Sequence, residues 1–105
     1  MINIDAAFSQ FPAGRYRQDG PHSGQAFRED VLIPALREQQ GVVHVSLDGT
    51  LGLGSSFLEE AFGGLVRAGY SASELHNRLR ITCRLKSYES RAWQYIDEAA
   101  KKVTQ

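Results

Sequence analysis

The stretch that decides the fold is Val42-Val-His-Val-Ser-Leu-Asp48-Gly-Thr-Leu-Gly-Leu-Gly54-Ser-Ser-Phe-Leu-Glu-Glu-Ala-Phe-Gly-Gly-Leu65. Its first seven residues alternate: Val43, Val45 and Leu47 on one side, Val42, His44 and Ser46 on the other. That period of two predicts a half-buried strand over 42–48. A glycine-rich turn follows, and then the period becomes helical. Leu58, Ala61, Phe62, Leu65 and Val66 recur on one face. Ser56 and Glu59 have the S-x-x-E spacing of a capping box, which predicts Ser56 as N-cap. Gly63-Gly64 in mid-helix costs about 1 kcal/mol per glycine relative to alanine, so the pair predicts close packing, here against the sheet. Gly69 suits the C′ position.

Downstream, Ser71-Ala-Ser-Glu74 repeats the capping pattern and predicts a short helix to Arg78. Leu79 to Leu85 alternates strictly, with Leu79, Ile81, Cys83 and Leu85 inward. Ser87 then caps a last helix to Val103, whose stripe is Tyr88, Ala92, Tyr95, Ile96, Ala99 and Val103. Upstream, residues 2–8 alternate and predict a strand. Residues 9–24 hold Pro12, Gly14, Gly20, Pro21 and Gly24 and predict a loop, with a short strand at Arg15–Arg17. Ser23 to Gln39 reads as a helix capped by Ser23, with Pro34 as a kink or break. The order is strand, short strand, helix, strand, helix, strand, helix. Strands joined through helices favour parallel neighbours. Alternating polarity in every strand puts the helices mostly on one face of the sheet.

The chain has 105 residues and 12 Lys+Arg against 12 Asp+Glu, with 42% hydrophobic residues. The length predicts one domain over 1–105, and the composition is that of a globular protein. Neutrality excludes a global attraction for nucleic acid or anionic membrane. The charge is uneven, however. Residues 1–54 carry four arginines against six acids, and residues 55–105 carry eight basic residues against six acids. No apolar run reaches the ~20 residues of a membrane span, and the N-terminus lacks signal-peptide features, so a cytoplasmic location is expected. One cysteine, Cys83, excludes an internal disulfide framework.

Three constellations bear on function. The first is the turn before Ser55, which aims backbone N–H groups and a helix dipole at the carboxyl end of a strand. Gly49-x-x-x-x-Gly54-Ser55-Ser56 imitates a P-loop, but Ser55 stands where its lysine belongs, so the NTPase reading is rejected. The dinucleotide fingerprint fails at its third glycine, where Phe57 stands. The second is the loop with Arg15, Arg17, Asp19, Ser23 and Arg28. Arginine forks suit phosphate or carboxylate, so this loop is a candidate anion or partner site, packed beside Ser55. The plain alternative is that Asp19 and Arg28 pair to fix the loop. The third is the basic run Arg78, Arg80, Arg84, Lys86 and Arg91. It is a thin nucleic-acid footprint and reads better as a solvated strand face.

Catalysis finds no support. His22, His44 and His76 lack metal-ligand spacing, and no metal or cofactor is expected. Glu59 and Glu60 point about 100° apart on a helix and do not form a dyad. Cys83 reads as a small buried hydrophobe.

The alternating strand, the turn, the paired serines Ser55-Ser56 and the amphipathic helix together resemble the STAS domain, the fold of anti-sigma factor antagonists. Two blocks resemble the STAS-like family of unknown function more specifically: Gly14-Arg-Tyr-Arg-Gln-Asp-Gly-Pro-His-Ser-Gly-Gln-Ala-Phe-Arg-Glu-Asp30 and Ser55-Ser-Phe-Leu-Glu-Glu-Ala-Phe-Gly-Gly-Leu65. The resemblance implies a two-layer α/β fold with a mixed sheet of about four strands. It also implies a regulatory, protein-interaction role. The STAS phosphoacceptor motif, Asp-Ser-[Ser/Thr]-Gly, falls on Ser55 with Ser56 as its neighbour; Gly54 replaces the Asp and Phe57 the Gly. The implied partner is a histidine-kinase-like ATPase, and Phe57 and Glu60 are expected on the partner surface. The alternative function is a small-molecule or nucleotide and phosphate binder, with hydrolase activity as an option, built on the loop 14–28 beside Ser55. A homo-oligomer pairing through the open sheet face is a third reading.

Overall fold

The computed structural model describes residues 1–103. Its sheet has three strands: β1 (Ile2–Asn3), β2 (Val43–Ser46) and β3 (Leu79–Thr82). The order is β1-β2-β3 and every pair is parallel. Ile2 sits opposite Val45, and Val43, Val45 and Ser46 sit opposite Leu79, Ile81 and Thr82. The expected mixed sheet of about four strands is corrected to three parallel strands among the described residues.

Two local conflicts account for the difference. The predicted strand 2–8 stops after Asn3 and becomes α1 (Ile4–Ala7), a single helical turn. β1 pairs with β2 only up to Ser46. Beyond it, Gly49 takes φ +89°, and a Cβ there would lie 2.2 Å from the Asp5 carboxylate. The chain turns instead and buries Ile4 completely. The predicted strand at Arg15–Arg17 is a loop ending in a 3₁₀ turn, Arg17–Asp19. Asp19 Oδ2 accepts the Arg15 and Tyr16 N–H groups at 3.2 and 2.9 Å. The loop carbonyls are used elsewhere: Gly14 and Arg15 accept from Gly24 and Gln25, at the head of the next helix. An Asx-type turn thus outcompetes a ladder.

That helix, α2, spans residues 24–38 in three parts: Gly24–Phe27, a wide π turn Arg28–Leu32, and Ile33–Glu38. Ser23 caps it as expected, accepting Ala26 N–H at 3.1 Å. Pro34 neither breaks nor restarts the helix. The Ile33 N–H reaches back five residues to Arg28 C=O, so the ladder has already left its four-residue register where the ring and missing donor of Pro34 fall. At the far end, Arg78 donates to the Leu36 carbonyl at 2.9 Å and to the Gln39 carbonyl. A cation there suits the negative end of the helix dipole.

Helix α3 spans residues 55–67 and also contains a π turn, Glu59–Gly63. Gly69 closes it at the expected C′ position with φ +117°, and Tyr70 N–H bonds to Leu65 C=O, a Schellman geometry. Helix α4 (Ala72–Arg78) is capped by Ser71, which accepts Glu74 N–H at 3.0 Å. Helix α5 (Lys86–Val103) buries Ala92, Ile96 and Ala99. Val103, expected on its buried stripe, is 61% exposed.

Val43, Val45, Leu47, Leu79, Ile81 and Cys83 form the core face of the sheet, none more than 6% exposed. Across from them Asn3 and Arg80 are exposed, His44 and Thr82 are half-buried, and Ser46 is buried at 8% exposure, so this face is only partly open. Phe27 stacks on Phe57 at 5.9 Å between ring centroids, and Phe8 lies 5.1 Å from Phe27, so three elements share one aromatic cluster. No helix among the described residues is long and apolar enough to cross a membrane.

Candidate functional site

Two regions meet on α3: its exposed start and, one turn later, a cluster of charges. At the start, Gly54 is the N-cap and provides no side-chain bond. The expected capping box is therefore corrected. The Ser55 and Ser56 side chains are both exposed and bond nothing among the described residues. The helix begins at the carboxyl end of β2, where open α/β sheets bind their ligands.

The loops around this start are apolar and outward. Leu51 is 82% exposed and Phe11 62%. They ride on neighbouring segments, since Leu51 N–H donates to the Gln10 carbonyl at 3.1 Å. Leu85, also exposed, belongs to the turn after β3. Arg84 N–H donates to Asp48 Oδ1 at 2.7 Å, which fastens that turn to the one after β2. Leu53 N–H donates to the Tyr88 hydroxyl at 3.4 Å and makes a second link.

Phe57 and Glu60, expected on the partner surface, are corrected. Phe57 is buried in the aromatic cluster and Glu60 is 7% exposed. Phe57 packs inward from the regular first turn of the helix, and Glu60 lies within the π turn Glu59–Gly63. Glu60 is held by Arg28, whose Nη1 lies 2.6 Å from both Glu60 Oε2 and the Glu60 carbonyl. The carbonyl contact has a structural origin. Gly64 N–H bonds to Glu59 C=O, five residues back, rather than to Glu60 C=O, and the guanidinium takes up that acceptor.

The arginine loop does pack on α3, but against its carboxylates and not against Ser55. Arg15 pairs with Glu59 and lies 3.6 Å from Glu60 Oε1. Arg67 donates to Glu59 at 2.7 and 3.1 Å and approaches Glu60 at 3.4 Å. Arg17 pairs with Glu29 and Asp30 at 3.1 and 2.8 Å. Among the described residues none of Arg15, Arg17 and Arg28 bonds the Ser55 hydroxyl. The expected Asp19–Arg28 pair is not formed; Asp19 holds the turn. Ser23, a candidate anion ligand, is fully buried as a cap.

Burial pushes the Glu59 carboxyl up, but the hydrogen bonds from Arg67 and Arg15 outweigh it and hold the group below its ordinary value. Its own bond to Glu59 raises Arg67 in turn. Burial raises the Cys83 thiol, in keeping with an inert core cysteine.

The Gly63-Gly64 pair serves this cluster and not the sheet. A Cβ on Gly64 would sit 2.0 Å from Arg28 Nη1, and one on Gly63 would sit 2.7 Å from Glu59 Oε2 and 3.3 Å from the Tyr95 carbonyl. Sequence reasoning missed Arg67 and assigned Glu59 to a cap. The available signal was a Glu-Glu pair followed by Gly-Gly and an arginine two turns on.

Among the described residues no group of His, Cys, Asp and Glu is arranged to hold a metal. A two-layer parallel α/β unit with a helix start at a strand end is the class these features define. Residues 23–82 match the family model described as a STAS-like domain of unknown function (DUF4325), and the chain belongs to that family. No curated protein and no solved structure matches the chain.

Proposed function

We propose that the chain is a cytoplasmic regulatory module that acts by binding a protein partner, in the manner of anti-sigma factor antagonists, and not by catalysis. The partner docks on the carboxyl end of β2, over Leu51, Phe11 and Leu85. The observation that carries this reading is the 82% exposure of Leu51 four residues before Ser55. An apolar side chain held out on an anchored loop is a docking feature when it has apolar neighbours. Ser55 or Ser56 is the phosphoacceptor. A phosphate there meets the positive end of α3, so it is locally stabilising. Its switching effect falls on the partner, which would have to desolvate the new charge beside an apolar contact.

The test uses a histidine-kinase-like ATPase from the same organism, with ATP. Phosphate incorporated at Ser55 or Ser56, and capture of the ATPase that Leu51→Glu abolishes, are the expected results. No incorporation, together with capture that ignores both Leu51→Glu and Ser55→Asp, overturns the reading. The small-molecule alternative beside Ser55 loses its support, because the arginines it needs are engaged by Glu59, Glu60, Glu29 and Asp30.

A further inference from the structure

Leu51 and Leu85 stand on separate turns, one after β2 and one after β3, and both are exposed. Each lies between two hydrogen-bonded residues: Leu51 between Asp48 and Leu53, Leu85 between Arg84 and Tyr88. Arg84 N–H donates to Asp48 Oδ1 at 2.7 Å, and Leu53 N–H donates to the Tyr88 hydroxyl at 3.4 Å. The two bonds close residues 48–53 and 84–88 into one ring, with a leucine at the crown of each arc. We infer that Asp48 and Tyr88 are positioning residues of the docking surface, which present Leu51 and Leu85 to the partner as one apolar contact, a role that rests on the partner-docking reading.

The ring begins where the ladder ends. Leu47 N–H donates to the Thr82 carbonyl at 2.9 Å, so β2 and β3 are still paired one residue before Asp48. Paired strands run about 4.8 Å apart, so the two turns leave the sheet as neighbours. The Asp48 carboxylate then supplies the next rung from a side chain. At the other end Leu53 is buried and Tyr88 half-buried, which anchors the second bond against the core. The crowns are pinned as well. Leu51 N–H donates to the Gln10 carbonyl at 3.1 Å, and Tyr88 N–H donates to the Leu85 carbonyl at 3.1 Å. Leu51 is thus held outward between Leu47 and Leu53, which are both buried.

Two turns without cross-links would lose backbone freedom when a partner docks. A closed ring has already lost it when the chain folds, so more of the contact free energy goes into affinity. Asp48 acts here through an acceptor oxygen and not through its charge, and Tyr88 through its hydroxyl alone. Asp48→Asn therefore keeps the function of the group, whereas Asp48→Ala deletes it; Tyr88→Phe deletes the hydroxyl and keeps the ring.

The test combines amide hydrogen exchange on the full chain with capture of the histidine-kinase-like ATPase by the same variants. In Asp48→Ala the Arg84 amide should exchange at least about tenfold faster than in wild type, and in Tyr88→Phe the Leu53 amide should do the same, with the amides of Val45 and Ile96 in the core unchanged. Asp48→Asn should keep the Arg84 amide within about threefold of wild type. ATPase capture should fall at least about fivefold in Asp48→Ala and return in Asp48→Asn, a rescue that a general loss of stability does not give. Wild-type exchange at Arg84 in Asp48→Ala, or full ATPase capture by that variant, overturns the inference. A wild-type chain that captures no ATPase overturns the docking reading instead, and the exchange rates at Arg84 and Leu53 then decide the ring by themselves.

Discussion

Arg28 Nη1 lies 2.6 Å from Glu60 Oε2 and 2.6 Å from the Glu60 backbone carbonyl, so one guanidinium nitrogen joins the π turns of two helices. Both side chains are about nine-tenths buried. Breaking such a pair from one side strands a buried charge. Arg28→Met should therefore cost about 3–5 kcal/mol in urea unfolding. Adding Glu60→Leu should recover most of that loss, since an apolar pair of similar volume is often neutral. A double variant no more stable than Arg28→Met alone would refute the coupling.

Gly64 offers a sign test of the same contact. In an ordinary helix, glycine to alanine adds about 1 kcal/mol. Here the added Cβ meets Arg28 Nη1 at 2.0 Å, and Glu60 holds that nitrogen in place. Gly64→Ala should destabilise the wild-type chain and stabilise the Arg28→Met background. Thermal unfolding of the four proteins decides it; the same sign in both backgrounds would count against the contact.

The Glu59 carboxyl has its value lowered in the folded state by Arg67 and Arg15, against burial. Such a group stabilises above its unfolded value of about 4.3 and loses that contribution as pH falls through the folded value. Stability should therefore drop on acidification below about pH 4.3. Glu59→Gln should flatten that part of the profile. A wild-type and a Glu59→Gln profile with equal slopes there would contradict the assignment.

The start of α3 has no side-chain cap, because Gly54 occupies the N-cap. Ser55→Asp should add about 0.3–1 kcal/mol at low salt through the helix dipole, with the gain shrinking in high salt. Loss of stability in Ser55→Asp would mean that the helix start is not the open anion-tolerant end described above.

Much of this fold is written locally. Val43–Leu47 and Leu79–Cys83 alternate because each covers one face of the core, whereas Leu85, expected inward, is 60% exposed in the turn after β3; Ser23 and Ser71 cap as their spacing predicts. What was not legible depends on distant partners. Residues 2–8 carry a strand pattern, but β2 supplies only two partner positions before its turn, against Asp5, sends the chain aside. Pro34 reads as a break unless the π turn before it is known, and no local period announces a π turn. Arg15 and Arg28 were legible as anion-binding groups. That their anions are Glu59 and Glu60 is a tertiary fact, which also moves Glu60 from the surface into the core. Leu51 and Phe11 have no periodic signature at all; their exposure comes from the loop pairing at Gln10.

The central claim is that the carboxyl end of β2 is a phosphorylatable docking surface. Its most direct test is phosphosite mapping by tandem mass spectrometry on the chain isolated from its native cells, beside a Ser55→Ala/Ser56→Ala double variant. A single phosphate on Ser55 or Ser56, lost in the double variant, is the predicted result. An unmodified chain, or a phosphate elsewhere that persists in the double variant, would contradict it.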